Sequence, residues 1–134
     1  MPGTILIVDD SPLVRHAVRS CIEQTPDWQV CGEAENGKVA VEKVGELHPD
    51  VVILDFQMPV MDGLEAAGRI NRVAPNTAML MVTLHTSEQL LRYAPVVGIR
   101  EVLSKSDELT DHLLASLKRL DVERGDHPLV RASR

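Results

Sequence analysis

The chain has 134 residues, 44% of them apolar and 2% aromatic, and a formal net charge of −6. That length suits one domain with an aliphatic core, and the acidic balance argues against a nucleic-acid surface on this segment. No stretch approaches the ~18 apolar residues of a membrane span, the first apolar run is too short for a signal peptide, and two cysteines, Cys21 and Cys31, make neither a disulfide framework nor a metal motif. The expectation is a soluble, cytoplasmic protein without membrane contact.

Thr4 to Val8 reads as strand one, followed by Asp9-Asp10. Ser11-Pro12 opens a helix with Ser as N-cap and Pro in the first turn, and Leu13, Val14, Ala17, Val18, Cys21 and Ile22 recur on one face. Trp28 to Gly32 is a weaker strand near an edge. Asn36-Gly37 starts helix two, with Ala40, Val41, Val44 and Leu47 inward, and His48-Pro49-Asp50 ends it. Val51 to Asp55 is strand three, a β-branched run apolar enough to be covered on both faces, and Pro59 and Asp62-Gly63 then force a tight loop.

Asp62 caps helix three, which carries Leu64, Ala67, Ile70 and Val73. Ala78 to Thr83 is strand four. Thr86-Ser87-Glu88-Gln89 matches a capping box and opens a short helix four with Leu90 and Leu91. Gly98 precedes a short strand five, Glu101 to Ser104, which leads into Lys105. Ser106 or Asp107 caps helix five, with Leu109, Leu113, Leu114, Leu117 and Leu120 inward. After Leu120 the pattern fades. Residues 1–120 are expected to form the domain, and 121–134 a polar C-terminal tail or truncated linker.

Strands alternating with amphipathic helices imply βαβ units and a parallel sheet. Right-handed crossovers put helices on both faces. The predicted fold is α/β, a flavodoxin-like (βα)5 doubly wound parallel sheet of strand order 2-1-3-4-5, whose switch point lies beside strands one and three. In such a sheet Asp9, Asp10, Asp55, Thr83 and Lys105 converge on one edge. Taken singly, each has a plain alternative: Asp9 or Asp10 as a helix cap, Asp55 as a turn acid, Thr83 as a strand end, Lys105 as a surface lysine. Their placement at successive strand ends is what singles them out.

Clustered carboxylates repel by roughly 4 kcal/mol per pair at about 4 Å and an effective dielectric of 20. A proton or a cation must offset that, and a few hard oxygen ligands left partly open to water suit Mg²⁺. Acids, an amine and a hydroxyl together make a plausible phosphoryl-handling site, with Asp55 able to attack phosphorus and the metal, Lys105 and Thr83 able to hold the equatorial oxygens.

With these residues in view, the chain resembles the receiver domain of two-component response regulators over about residues 3 to 120. The resemblance rests on Asp9-Asp10, on Asp55 within Asp55-Phe56-Gln57-Met58-Pro59-Val60-Met61-Asp62-Gly63, on Thr83 and on Lys105. Asp9-Asp10-Ser11-Pro12-Leu13-Val14-Arg15 looks most like receivers of regulators with a C-terminal helix-turn-helix output domain. The resemblance implies that Asp55 accepts a phosphoryl group from a sensor histidine kinase. It implies that Asp10 and Asp55 ligate Mg²⁺ directly, Asp9 through water and Gln57 by its backbone carbonyl. Lys105 would pair with the phosphoryl group and Thr83 would switch toward it.

Gln57 and His85, two residues beyond Asp55 and Thr83, fall where receivers tune dephosphorylation. Leu84 replaces the usual Ala or Gly, Ser106 the frequent Pro, and Val102 the aromatic that commonly stands three residues before the lysine. The implied output is a shift of the helix-four to helix-five face, which also offers a homodimer contact. The chain reads either as a stand-alone receiver or as one excised from a longer regulator. An aspartyl phosphatase of the haloacid-dehalogenase class wants an acid where Gln57 stands, and a flavodoxin wants a phosphate loop where Asp9-Asp10 stand.

Overall fold

In the computed structural model, which describes residues 2–125, five parallel strands form one sheet of order β2-β1-β3-β4-β5. The strands are β1 (Gly3–Val8), β2 (Trp28–Ala34), β3 (Val51–Asp55), β4 (Ala78–Thr83) and β5 (Ile99–Ser104). The helices are α1 (Pro12–Glu23), α2 (Gly37–Leu47), α3 (Gly63–Val73), α4 (Glu88–Tyr93) and α5 (Leu109–Gly125), with a short 3-10 turn at Ala94–Val97. Every residue of β3 is buried, as expected for a strand covered on both faces. Two aliphatic clusters result: Leu6, Val8, Val52, Leu54 and Ile70 on one face of the sheet, and Ile5, Ile7, Ile22, Ile53 and Leu117 on the other.

The helix starts follow local chemistry. Ser11, Asn36, Asp62 and Ser87 each accept a hydrogen bond from the backbone N–H three residues on, satisfying a donor that the helix itself leaves free. The cap of α4 is therefore Ser87 rather than Thr86. Its partner is Leu90 N–H at 3.0 Å, so the expected capping box with Gln89 is replaced by a single-residue cap. At the other end of α2, His48 adopts φ 48 and closes the helix through a bond to Val44.

Several residues expected inward face out. Leu13 is 82% exposed, Val73 64% and Leu91 51%. Ala17 and Leu47 are also exposed. The apolar stripe on these helices is wider than the sheet each one covers, so its flank remains outside. β2 runs two residues past Gly32, and β5 begins two residues before Glu101. α5 continues five residues past Leu120, where amphipathic patterning alone gave no helix. Glu123 pairs with Arg100 at 2.5 Å, and the Arg124 guanidinium lies 5.1 Å over the Trp28 ring. These contacts hold the last turn where hydrophobic spacing is lost. The remainder of the expected tail, 126–134, lies outside the described residues.

Gly63 marks the tightest approach in the fold. Its N–H donates to Phe56 O at 2.7 Å, and a Cβ there would strike the Asp55 carbonyl oxygen. Gly45, in the last turn of α2, has nothing within 4 Å of such an atom. Gly63→Ala is expected to destabilise the protein by about 2 kcal/mol through overpacking, whereas Gly45→Ala stabilises it by about 0.5–1 kcal/mol through helix propensity. Urea unfolding of the two variants checks the opposite signs.

Candidate functional site

The parallel register delivers the site residues to one edge. Asp9 and Asp10 follow β1, Asp55 and Thr83 are the last residues of β3 and β4, and Lys105 follows β5. Asp55 pairs in register with Val82, and Thr83 with Ser104. Lys105 N–H then donates to Thr83 O at 2.8 Å, locking the fifth strand's exit beside the fourth. The loop after Asp55 closes through Met61 N–H to Pro59 O at 2.7 Å, with Val60 at φ 70 between them. A β-branched residue there is strained.

Asp9 (2% exposed) and Asp55 (5%) are buried, and Asp10 is exposed. Asp9, Asp10 and Asp55 each offer an oxygen within 4.8 Å of the others. Lys105 Nζ lies 2.8 Å from Asp9 Oδ2 and 3.2 Å from Asp55 Oδ1. The Asp9 contact is close enough for an ion pair, yet its geometry leaves Oδ2 a buried oxygen without a hydrogen bond. Asp9 Oδ1 accepts from Ser11 N–H at 2.9 Å.

Burial first, then the charge of Asp9, pushes the Asp55 carboxyl above its ordinary value; Lys105 opposes this and Asp10 adds to it. Burial pulls the Lys105 ammonium down, but the ion pair with Asp9 and the charge of Asp55 outweigh that and hold it above its usual value. The amine therefore stays charged, while Asp55 is a carboxylate held in an environment that disfavours its charge.

Thr83 is tied to the backbone that follows it. Its hydroxyl donates to His85 O at 3.2 Å and accepts from His85 N–H at 3.3 Å. Asp9, Asp10, Asp55, Gln57, Thr83 and Lys105 all line one crevice of about 670 Å³, whose apolar half is walled by Leu13, Val14, Ala17, Leu84 and Leu109. His85 is exposed and touches the site through its backbone. Val102 lies away from the acids, half-buried against the cluster that holds Leu90 and Ala94.

A polar group that the sequence reading gave no role also reaches the site. Arg15 Nη1 donates to Asp9 O at 2.6 Å, and Arg15 Nε donates to Glu33 Oε1 at 2.8 Å. The sequence carries one trace of it: α1 has no acid in its first turn but an arginine at its fourth residue, the charge that a helix start disfavours.

The raised Asp55 value fixes a sign. A carboxyl that binds its proton more tightly when folded stabilises the fold below its unfolded value, and that contribution is lost as pH rises through the folded value. At neutral pH and without metal, ionised Asp55 therefore costs stability. Asp55→Asn should melt above the parent chain at pH 7, with the gap closing as pH falls through the raised folded value toward the ordinary carboxylate value of about 4. Thermal melts in chelator across that range test this, and a lower melting temperature for Asp55→Asn at pH 7 would contradict it.

Comparisons with known proteins agree with this geometry. Residues 5–118 match the family model described as the response regulator receiver domain. A protein-glutamate methylesterase/protein-glutamine glutaminase of Methanosarcina acetivorans is 43% identical over 124 residues, 91% of this chain and 35% of that protein. Transcriptional regulatory protein YdfI of Bacillus subtilis is 36% identical over 120 residues, 88% of this chain and 56% of that protein. The chain thus spans about a third to about half of these relatives' length. Among solved structures, the response regulator domain of Thermotoga maritima CheB superposes with a TM-score of 0.83 at 30% identity, covering 90% of this chain and 97% of that one. With the fold, the strand-end acids and the family match in agreement, the chain belongs to the response regulator receiver domains, signalling modules controlled by phosphorylation.

Proposed function

We propose that Asp55 is the phosphoacceptor and that a sensor histidine kinase is its donor. The observation that carries this is the buried Asp55 carboxylate, paired through one oxygen with Lys105 at 3.2 Å, in a crevice open on its other side. Asp55 Oδ2 attacks phosphorus, the P–N bond of a phosphohistidine breaks, and its electron pair leaves with the imidazole. The product is an acyl phosphate on Asp55. Lys105, charged and 15% exposed at its side chain, stands ready to pair with the phosphoryl oxygens.

The residues fit a Mg²⁺ ion. Three hard carboxylates each bring an oxygen within 4.8 Å of the others, and the one ammonium that meets Asp9 Oδ2 and Asp55 leaves the acids with net negative charge for a cation to offset. Asp10 and Asp55 would hold the ion directly, Asp9 through water, and Gln57 by its carbonyl. When bound, the ion offsets the acids' charge and polarises the phosphoryl group. Gln57, on the crevice wall, and His85, at its edge, would set how readily water reaches the acyl phosphate. Residues 1–120 would act as the receiver and 121–134 as a polar tail or linker to an output unit.

With Mg²⁺ and acetyl phosphate the chain should gain one phosphoryl mass at Asp55, and Asp55→Asn none. Intact-protein mass spectrometry reads both, and labelling of that variant at the parent rate would overturn the assignment.

Switching follows from the position of Thr83. To meet a phosphoryl group its hydroxyl must leave the His85 backbone, which frees the loop leading to α4. Val102 has one stiff rotamer and little volume, so it cannot relay the change as a swinging ring would. Beryllofluoride, a phosphoryl mimic, should therefore shift amide NMR signals from Thr83 to Leu91 more than those around Val102, with any homodimer contact arising on the α4–α5 face. Large shifts centred on Val102 with none from Thr83 to Leu91 would refute this.

A further inference from the structure

Asp10 is the acid least supported by its surroundings. Asp9 is fixed at its N–H by Ala34 O at 3.0 Å, at Oδ1 by Ser11 N–H and at Oδ2 by the Lys105 ion pair. Among the described residues no side chain holds the exposed Asp10 carboxylate. The position of the Asp10 Cα is set by the peptide plane that joins it to Asp9, because that unit moves as one rigid piece. The carbonyl of that plane is Asp9 O, and Arg15 grips it at 2.6 Å.

The grip is itself held. Arg15 is 18% exposed at its side chain, and Glu33 on β2 takes its Nε through Oε1 while taking Arg19 Nε through Oε2 at 2.7 Å. The bond to Arg19, ahead of the one to Arg15, keeps the Glu33 carboxyl below its ordinary value against the opposing push of burial, so it remains a carboxylate. An arginine in the fourth position of α1 sits against the helix dipole, and helix stability alone gives no reason for it there. Its rigid fork can meet a carbonyl and a carboxylate at once.

We propose that Arg15 is a positioning residue for the acid pair: it fixes the peptide that places the Asp10 Cα, and Glu33 cancels its charge so that it does this without repelling the cation. This rests on reading Asp9, Asp10 and Asp55 as the Mg²⁺ site. Two other roles are separable from it. If Arg15 only staples α1 to β2, its loss lowers stability and leaves metal affinity alone. If its charge dominates, its loss tightens metal binding.

The test is calorimetric Mg²⁺ titration of the full chain, beside metal-free melting temperatures. Arg15→Met should weaken Mg²⁺ by roughly ten-fold, the scale on which outer-shell partners act, with Arg15→Lys partly restoring affinity. Arg19→Met removes the other arm of Glu33 without touching Asp9; it should lower the melting temperature and leave Mg²⁺ affinity little changed. Glu33→Gln leaves the charge of Arg15 uncancelled and should weaken Mg²⁺ in a way that added salt reduces. Unchanged or tighter binding by Arg15→Met overturns the proposal. Should that variant not fold, Arg15→Lys against Arg19→Lys carries the same contrast, and equal affinities overturn it. If the parent chain and Asp10→Ala bind Mg²⁺ alike, the metal reading fails and takes this inference with it.

Discussion

Three carboxylates and one ammonium share the edge of the sheet, and the rest of the site is arranged around that imbalance. Each of the three carboxylate pairs repels by roughly 4 kcal/mol at about 4 Å and an effective dielectric of 20, and one lysine among three acids leaves the cluster with net negative charge. Burial and then the charge of Asp9 raise the Asp55 carboxyl, while the pull of Asp9 and Asp55 raises the Lys105 ammonium against burial. The imbalance also shows at Asp9 Oδ2, buried and without a hydrogen bond although an ammonium lies 2.8 Å away. The fold can hold this arrangement because the strands beneath it are rigid: β1, β3 and β4 are buried almost throughout, and burying each large aliphatic side chain contributes about 1.5–3 kcal/mol. A charge cluster of this kind would pull a loop apart.

How much of this was legible in the sequence follows from which forces are local. Strand order and the converging acids were readable because a parallel βα repeat leaves little choice of topology and because Asp55, Thr83 and Lys105 each stand at the end of an apolar run. The caps at Ser11, Asn36 and Asp62 were readable for the same reason: a cap is a contact across three residues. Leu13, Ala17 and Leu91 misled because periodicity marks a stripe but not the width of the surface that covers it. The last turn of α5 was hidden because Arg124 over Trp28 and Glu123 against Arg100 join residues that pattern reading treats as unrelated. Arg15 with Glu33 was missed for that same reason, being an ion pair across eighteen positions.

The crevice has two halves of different character. The acid half lies over the sheet edge, and the apolar half runs between α1 and α5, with Leu13 and Leu84 exposed at its rim. Leu84 follows Thr83 directly. Its backbone lies inside the small turn that Thr83 makes with His85, so a rotation of Thr83 toward Asp55 would also reorient Leu84. Chemistry at the acids and shape at the rim are thereby joined through one residue rather than through a relay across the core.

The same geometry gives Lys105 two possible states. Among the described residues it is the ammonium that meets both Asp9 and Asp55, and its raised value records that their pull outweighs the opposing effect of burial. A divalent ion among the carboxylates would take over that role, and the ammonium would then be free to face an anion arriving at Asp55. Because Lys105 is tied by its own N–H to Thr83 O, the amine and the hydroxyl would approach that anion from one continuous piece of backbone. The charge that destabilises the site is in this sense what would prepare it, since a group bringing positive charge to Asp9 and Asp10 would loosen the hold of those acids on the lysine.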